Sequence, residues 1–254
     1  MSIRAHGVTV IKQGRTILNG VTMESHAGQV TGLIGPNGAG KSTLLAALSG
    51  DIPIAAGRVE VGGKDAAASS ALELARTRAV MLQDVGVAFS FLVRDVVEMG
   101  RHPWGAGPDD AAIVNAALET TSITHLQDRE VVTLSGGERA RAAFARVLAQ
   151  QTPVVFLDEP TAAMDVRFQE QTMGVVRGLA AKGVAVVVVL HDLQLAARYC
   201  DRVVCLKSGT VAASGPVDEV YSADVLSDVY DWPIAVSRFD GRVFVSPAAA
   251  TSAR

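Results

Sequence analysis

Two kinds of apolar pattern run along this chain. Residues 154–157 and 184–190 are continuous, mostly β-branched stretches with no polar alternation. A half-solvated strand alternates, so unbroken runs predict strands buried on both faces, as in a parallel sheet covered by helices. Residues 8–11 and 29–34 read as further strands, residues 43–48 open a helix, and the spacing over 169–181 is helical. Strands alternating with helices predict an α/β sheet. The middle third departs from this. Residues 93–99, 109–121 and 137–150 read as helices, and 85–150 hold no convincing strand. The expected organisation is one domain: 1–84 and 151–254 form the α/β core, and 85–150 form a helical subdomain inserted into it.

Composition narrows the setting. The chain has 254 residues, 49% hydrophobic and 19% charged, with a formal net charge of −3. That apolar content is ample for a buried core. The near-neutral balance gives no electrostatic reason to expect a nucleic-acid partner. The first residues, Met1-Ser2-Ile3-Arg4-Ala5-His6-Gly7, lack the charged-then-apolar design of a signal peptide. The longest apolar run, 184–190, is far short of the roughly 18 residues a spanning helix needs. A membrane connection is therefore expected only through a partner. Cys200 and Cys205 form no metal-ligand spacing with nearby histidines and read as reduced thiols in a core. His6, His26, His102 and His125 are scattered and read as surface or core histidines.

Three segments carry chemistry. Gly35, Pro36, Asn37, Gly38, Ala39, Gly40, Lys41 and Ser42, followed by Thr43, fit the phosphate-binding loop, Gly-four residues-Gly-Lys-Ser. Glycines let consecutive backbone N–H groups curl around phosphate oxygens, and the following helix points its positive end at them. Lys41 would reach the terminal phosphates and Ser42 would ligate Mg²⁺. The context fits, because an apolar strand pattern precedes the loop and a helix pattern follows it. Residues 154–159 read as a buried strand ending in Asp158 and Glu159. Adjacent acids at the end of an apolar strand are costly unless a metal or reacting group meets them. Asp158 suits the Mg²⁺ shell, and Glu159 suits the base that polarises an attacking water. Leu134-Ser135-Gly136-Gly137-Glu138 has capping-box spacing between Ser135 and Glu138 and predicts a helix start. The cap explains the Ser and the Glu but not the paired glycines.

At this point the chain resembles the ABC (ATP-binding cassette) transporter ATPases, whose signature motif is this pentapeptide. The marks follow the family's order: phosphate loop, Gln83, 134–138, 154–159, Asp165 and His191. The resemblance implies a P-loop NTPase core with a mostly parallel sheet and an inserted helical subdomain. It also implies ATP and Mg²⁺. Gln83 is then the glutamine that contacts Mg²⁺ or water and senses the transmembrane partner. Asp165 lies in a loop that crosses a dimer interface. His191 contacts the γ-phosphate and orients Glu159. Ser135, Gly136 and Gly137 of one subunit close over the ATP held by Lys41 of a second, head-to-tail copy.

The implied setting is the cytoplasmic face of the membrane, beneath two transmembrane permease subunits served by an extracytoplasmic substrate-binding protein. Two departures stand out. Family members commonly carry an adenine-stacking aromatic near residues 11–13, where this chain reads Ile11-Lys12-Gln13, and Ala140 stands where glutamine is frequent. Residues 75–83 and 96–104 resemble the importers of iron complexes and vitamin B12, above all those for hemin. Ferric siderophore and vitamin B12 are the alternative cargoes. Phe89, Phe91, Met99 and Trp104 make 83–104 relatively aromatic in a chain that is 5% aromatic, as a docking surface for the permease would be. Soluble ABC ATPases of ribosomes, DNA or iron–sulfur assembly are the competing class. Two cassettes in one chain and long coiled-coil insertions, which mark the first two, are not in this sequence. A binding module without turnover fits poorly, because Glu159 and His191 are both present.

Overall fold

The computed structural model describes residues 2–82 and 91–248. Gln83 and Phe89 lie outside them. At the centre stand β3 (Val30–Ile34), β6 (Arg78–Met81), β7 (Val154–Asp158), β8 (Ala185–Val189), β9 (Arg202–Lys207) and β10 (Thr210–Pro216), in the order β10-β9-β3-β8-β7-β6. Every neighbouring pair from β9 to β6 is parallel, and only β10 on β9 is antiparallel. The runs at 154–157 and 184–190 are therefore interior strands. Val154 and Phe156 enter one core, Val155 and Leu157 the other. A strand that is buried on both faces has no polar positions to alternate.

A second, antiparallel sheet was not expected. It contains β1 (Ser2–Lys12), β2 (Arg15–His26), β4 (Ala56–Val61) and β5 (Lys64–Asp65), in the order β2-β1-β4-β5. Only residues 8–11 of it were legible as a strand. The pairing of β1 with β2 slips between Ala5 and Val8 and again before Val10 and Ile11. Each slip breaks the two-residue period from which strands are read. This sheet and the central one close over α1 (Lys41–Ser49), whose Leu44, Leu45 and Leu48 pack with Leu33, Phe156 and Val187.

On the opposite face of the central sheet lie α6 (Val166–Ala181), α7 (Leu193–Tyr199), α8 (Val217–Val220) and α9 (Ala223–Tyr230), followed by the hairpin β11 (Ile234–Phe239) and β12 (Arg242–Pro247). Helix α2 (Ala71–Thr77) leads into β6. Between β6 and β7 come α3 (Val93–Glu98), α4 (Asp110–Thr120) and α5 (Gly136–Gln150). Val93, Val97, Leu118 and Ile123 form their shared core. Helix α5 is a common wall. Its Ala142, Ala145 and Ala149 face that helical core, whereas Phe144 and Val147 join the core under the central sheet. The helix expected at 93–99 ends at Glu98 and tightens into a 3-10 turn over Met99–Trp104. Gly100 is pressed against α5 there, and a methyl at that position would lie 2.4 Å from the Arg146 carbonyl oxygen. Among the described residues no helix is long and apolar enough to cross a membrane. Both cysteines are free and buried.

Candidate functional site

Strand β3 runs parallel between β8 and β9, so the carboxyl ends of β3, β7 and β8 converge on one edge of the sheet. In α/β sheets ligands bind at such carboxyl edges. The loop of residues 35–40 joins β3 to α1 there. Gly35 adopts φ +142, and a methyl on it would lie 2.1 Å from the Leu206 carbonyl oxygen. No other residue fits that position. The Gly35 N–H donates to Tyr230 Oη at 2.9 Å. Lys41, in the first turn of α1, is 5% exposed. Its Nζ donates to the carbonyls of Gly35 at 2.8 Å and Pro36 at 3.0 Å, which lays the ammonium along the inside of the loop. Burial pulls the Lys41 pKa down, opposed by the charges of Glu159 and Asp158.

Those two acids close the far side. Asp158 is 4% exposed and accepts a hydrogen bond from Ser42 Oγ at 3.2 Å. Burial pushes its carboxyl above the usual range, even against the Ser42 bond and the Lys41 charge. A hydroxyl and a partly uncompensated carboxylate are hard oxygen donors of the kind Mg²⁺ takes, so the residues fit that ion. Glu159 sits at φ +51, off the end of β7. Its Oε1 lies 2.5 Å from His191 Nε2. His191 leaves β8 just before α7, whose first turn Asp192 caps by accepting from the Gln194 and Leu195 N–H groups. His191 thus stands just before a capped helix with its imidazole against the Glu159 carboxylate.

The cleft between these elements has a volume of about 780 Å³, lined by Asn37, Gly38, Gly40, Lys41, Ser42, Thr43, Glu159 and His191, with Ile17 on its rim side. Pro36 and Ala39 support the loop from behind: Ala39 N–H donates to the Pro36 carbonyl, and Gly209 N–H donates to the Ala39 carbonyl. Ile17, Leu206, Gly209 and Tyr230 were missed by sequence reasoning. Only Ile17 had a local signal, being an apolar residue beside the segment where an adenine-stacking aromatic was sought.

Ser135, Gly136, Gly137 and Asp165 do not line this cleft. Ser135 caps α5 in a reciprocal box with Glu138, its Oγ accepting from Glu138 N–H at 3.3 Å and its own N–H donating to Glu138 Oε2 at 2.8 Å. The paired glycines now have a reason within the chain. A methyl on Gly137 would lie 2.9 Å from the Ala163 carbonyl oxygen, and one on Gly136 would lie 3.3 Å from Ala163 Cβ. The start of α5 thus rests on the 162–165 loop, whose Asp165 caps α6 by accepting from Phe168 N–H at 3.1 Å.

A glycine-bearing loop between a buried parallel strand and a helix, with an acid pair on the next strand but one, defines a P-loop nucleoside triphosphatase. The presence of Ser135 to Glu138 at the head of α5, resting on the loop after the acid pair, narrows the class to ATP-binding cassettes. The ABC transporter family matches residues 18–162, and the chain belongs to that family as its ATP-hydrolysing component. It is 52% identical over 235 residues to the hemin import ATP-binding protein HmuV of Streptomyces coelicolor, covering 91% of this chain and 84% of that one. It is 44% identical to the cobalamin import ATP-binding protein BtuD of Halobacterium salinarum, covering 97% of this chain and 64% of that one. Among solved structures, the ATP-binding cassette MJ0796 in a dimeric post-hydrolysis state with ADP and Pi matches with a TM-score of 0.77 at 25% identity, covering 85% of this chain and 98% of that one.

Proposed function

We propose that this chain energises hemin import, hydrolysing ATP at the cytoplasmic face of the membrane beneath two permease subunits that an extracytoplasmic heme-binding protein serves. The observation carrying the cargo is the 52% identity to the Streptomyces coelicolor hemin import protein over nearly the whole chain. The second reading, cobalamin, rests on the 44% identity to the Halobacterium salinarum protein.

Within the cleft the roles follow from chemistry. Lys41 would neutralise the terminal phosphates, and the N–H groups of 35–43 would cradle them. Ser42 and Asp158, with Gln83, would hold Mg²⁺, which supplies charge neutralisation of the β- and γ-phosphate oxygens. Glu159 would accept a hydrogen bond from the attacking water and draw off its proton, and His191, 2.5 Å from it, would fix the carboxylate's orientation. Ser135, Gly136, Gly137 and Asp165 lie outside the cleft of their own chain and suit a second copy's nucleotide instead. A head-to-tail dimer with two sandwiched ATP molecules accounts for that separation. Val166, 73% exposed beside Asp165, is the kind of apolar surface such an interface would cover. The test is genetic and biochemical together. Deleting the gene should abolish growth on hemin as sole iron source, and a chain carrying Glu159→Gln should fail to restore it. Restoration by that variant would remove hydrolysis from the reading.

A further inference from the structure

A second cavity, of about 460 Å³, lies between the turn after α4, the middle of α5 and the first turn of α6. Ser122, Thr124, His125, Arg141, Arg167 and Phe168 line it, a set that holds three nitrogen bases, two hydroxyls and no carboxylate. Arg141 is only 7% exposed. Its guanidinium stacks 3.8 Å over the Phe168 ring, and one arm, Nη1, donates to the Ser122 carbonyl at 3.1 Å. Its Nε is buried with no hydrogen-bond partner. Neither Arg141 nor Arg167 has an ion pair among the described residues.

Two acids, Glu138 and Asp165, act on Arg141 electrostatically and offset part of the cost of its burial, though neither pairs with it directly among the described residues. Glu138 accepts from the Ser135 N–H and hydroxyl, and Asp165 accepts from the Phe168 N–H. Arg167 opposes Arg141 with a like charge. Burial still outweighs the two acids at Arg141, and a further anion beside the two guanidinium groups would offset the remaining cost. With Nη1 on the Ser122 carbonyl and Nε buried, the remaining Nη2 edge of the planar guanidinium is the part left for a tetrahedral oxyanion, and the hydroxyls beside it complete such a shell.

We propose that this cavity is an oxyanion site, separate from the nucleotide cleft, that takes inorganic phosphate or a small phosphate monoester between Arg141, Arg167 and the hydroxyls of Ser122 and Thr124. Its position gives it a consequence. Arg141 is on α5, which starts at the 135–138 segment, and Arg167 follows directly on the 162–165 loop. A bound oxyanion ties the helical layer to α6, and with it the two segments that a second copy's nucleotide would meet. Phosphate would therefore bias how these elements move relative to each other during turnover.

The experiment must separate this site from the cleft. The full chain is saturated with AMP-PNP, which fills the γ-phosphate position, and is then titrated with sodium phosphate, with glycerol 3-phosphate, and with sodium chloride at matched ionic strength. Calorimetry and the thermal midpoint are the readouts. Phosphate is expected to bind and raise the midpoint while chloride does not. Glycerol 3-phosphate distinguishes a free ion from an ester. Arg167→Gln, an exposed change with little bearing on folding, should weaken phosphate binding about tenfold, the loss of one charge-assisted hydrogen bond. Arg141→Lys should weaken it further, since a point charge cannot replace the fork. No phosphate binding to the AMP-PNP-saturated chain, or binding that Arg167→Gln and Arg141→Lys both leave unchanged, overturns the proposal.

Discussion

Tyr230 Oη accepts a hydrogen bond from Gly35 N–H at 2.9 Å, joining the last residue of α9 to the first residue of the phosphate loop across 195 positions of sequence. The contact is braced from the same helix. Lys207 Nζ, at the end of β9, donates to the Asp228 carbonyl and to Asp231 Oδ1. The neighbouring Leu206 carbonyl is the atom that excludes any side chain from position 35. Burial pushes the Tyr230 phenol up to about 12, so it stays protonated through the working range.

Tyr230→Phe should therefore keep the fold and weaken nucleotide binding. One net hydrogen bond is worth about 0.5–1.5 kcal/mol, or roughly two- to tenfold in affinity. Tyr199→Phe deletes a hydroxyl that donates to Glu170, away from the loop, and serves as the control. Fluorescent-nucleotide titration of both variants checks it. Equal affinity in the two would leave Tyr230 a packing residue only.

The proposed role of Glu159 as the base makes turnover depend on it. Glu159→Gln keeps a side chain of the same shape beside His191 but removes the basic oxygen. ATP binding should persist while hydrolysis falls by about 10²-fold or more, and ATP-bound dimers should accumulate on size-exclusion chromatography. Lys41→Ala should fail earlier, at binding. Mixing Lys41→Ala with Ser135→Arg chains should restore partial activity through one intact composite site, and no recovery in the mixture would count against a shared site.

The acid pair has a pH consequence whose sign is fixed. Burial raises the Asp158 pKa above its unfolded value, so the fold prefers the protonated form. The stability linked to this group is whole at pH below the ordinary carboxylate range. It declines as pH climbs from there through the raised folded value. Asp158→Asn removes the charge yet still offers Oδ1 to Ser42. Without nucleotide it should melt higher than wild type at pH 7, with the gap closing in acid. It should also lose the Mg²⁺-dependent rise in melting midpoint given by ATP. A variant less stable than wild type at pH 7 would mean that the Lys41 attraction outweighs desolvation.

The two signature glycines should part company. Gly137 faces the Ala163 carbonyl oxygen and Gly136 only its methyl. Backbone cannot yield as a side chain can, so Gly137→Ala should lower the thermal midpoint of the chain without nucleotide, and Gly136→Ala should change it little. Measuring without nucleotide isolates this contact from any role across a dimer. Equal melting of the two variants would return both glycines to a purely intermolecular explanation.

Much of this was legible in the sequence for a physical reason: the motif residues act through local chemistry. A phosphate loop needs its glycines and lysine contiguous, a capping box needs Ser135 and Glu138 three apart, and a strand buried on both faces has to read as Val154 to Leu157 does. What stayed hidden is what distant segments contribute. Tyr230, Leu206 and Gly209 meet the loop only after β9 has paired with β3 and brought β10 and α9 with it. The antiparallel sheet hid because slips in β1 destroy its period. The Gly137 contact with Ala163 joins residues whose only common signal is spatial.

Coupling and cargo are where the sequence speaks least directly. Phe91 and Trp104 are both exposed, at 37% and 40%, in the segment proposed to dock on a permease. Trp104 is not loose: its Nε1 donates to the Gln150 carbonyl at 2.7 Å, and Arg76 and Arg101 flank its ring at 6.0 and 5.9 Å. It presents a rigid aromatic face, the kind that dominates interfaces. Trp104→Ala and Phe91→Ser should leave ATP binding by the isolated subunit unchanged, because neither touches the cleft. Both should weaken co-purification with the permease and lower hemin-dependent growth more than basal ATPase. Equal falls in transport and basal ATPase would make these residues core of the helical layer. Intact growth on hemin in a strain lacking the gene, with loss of cobalamin uptake, would transfer the cargo to the second reading and leave the ATPase assignment standing.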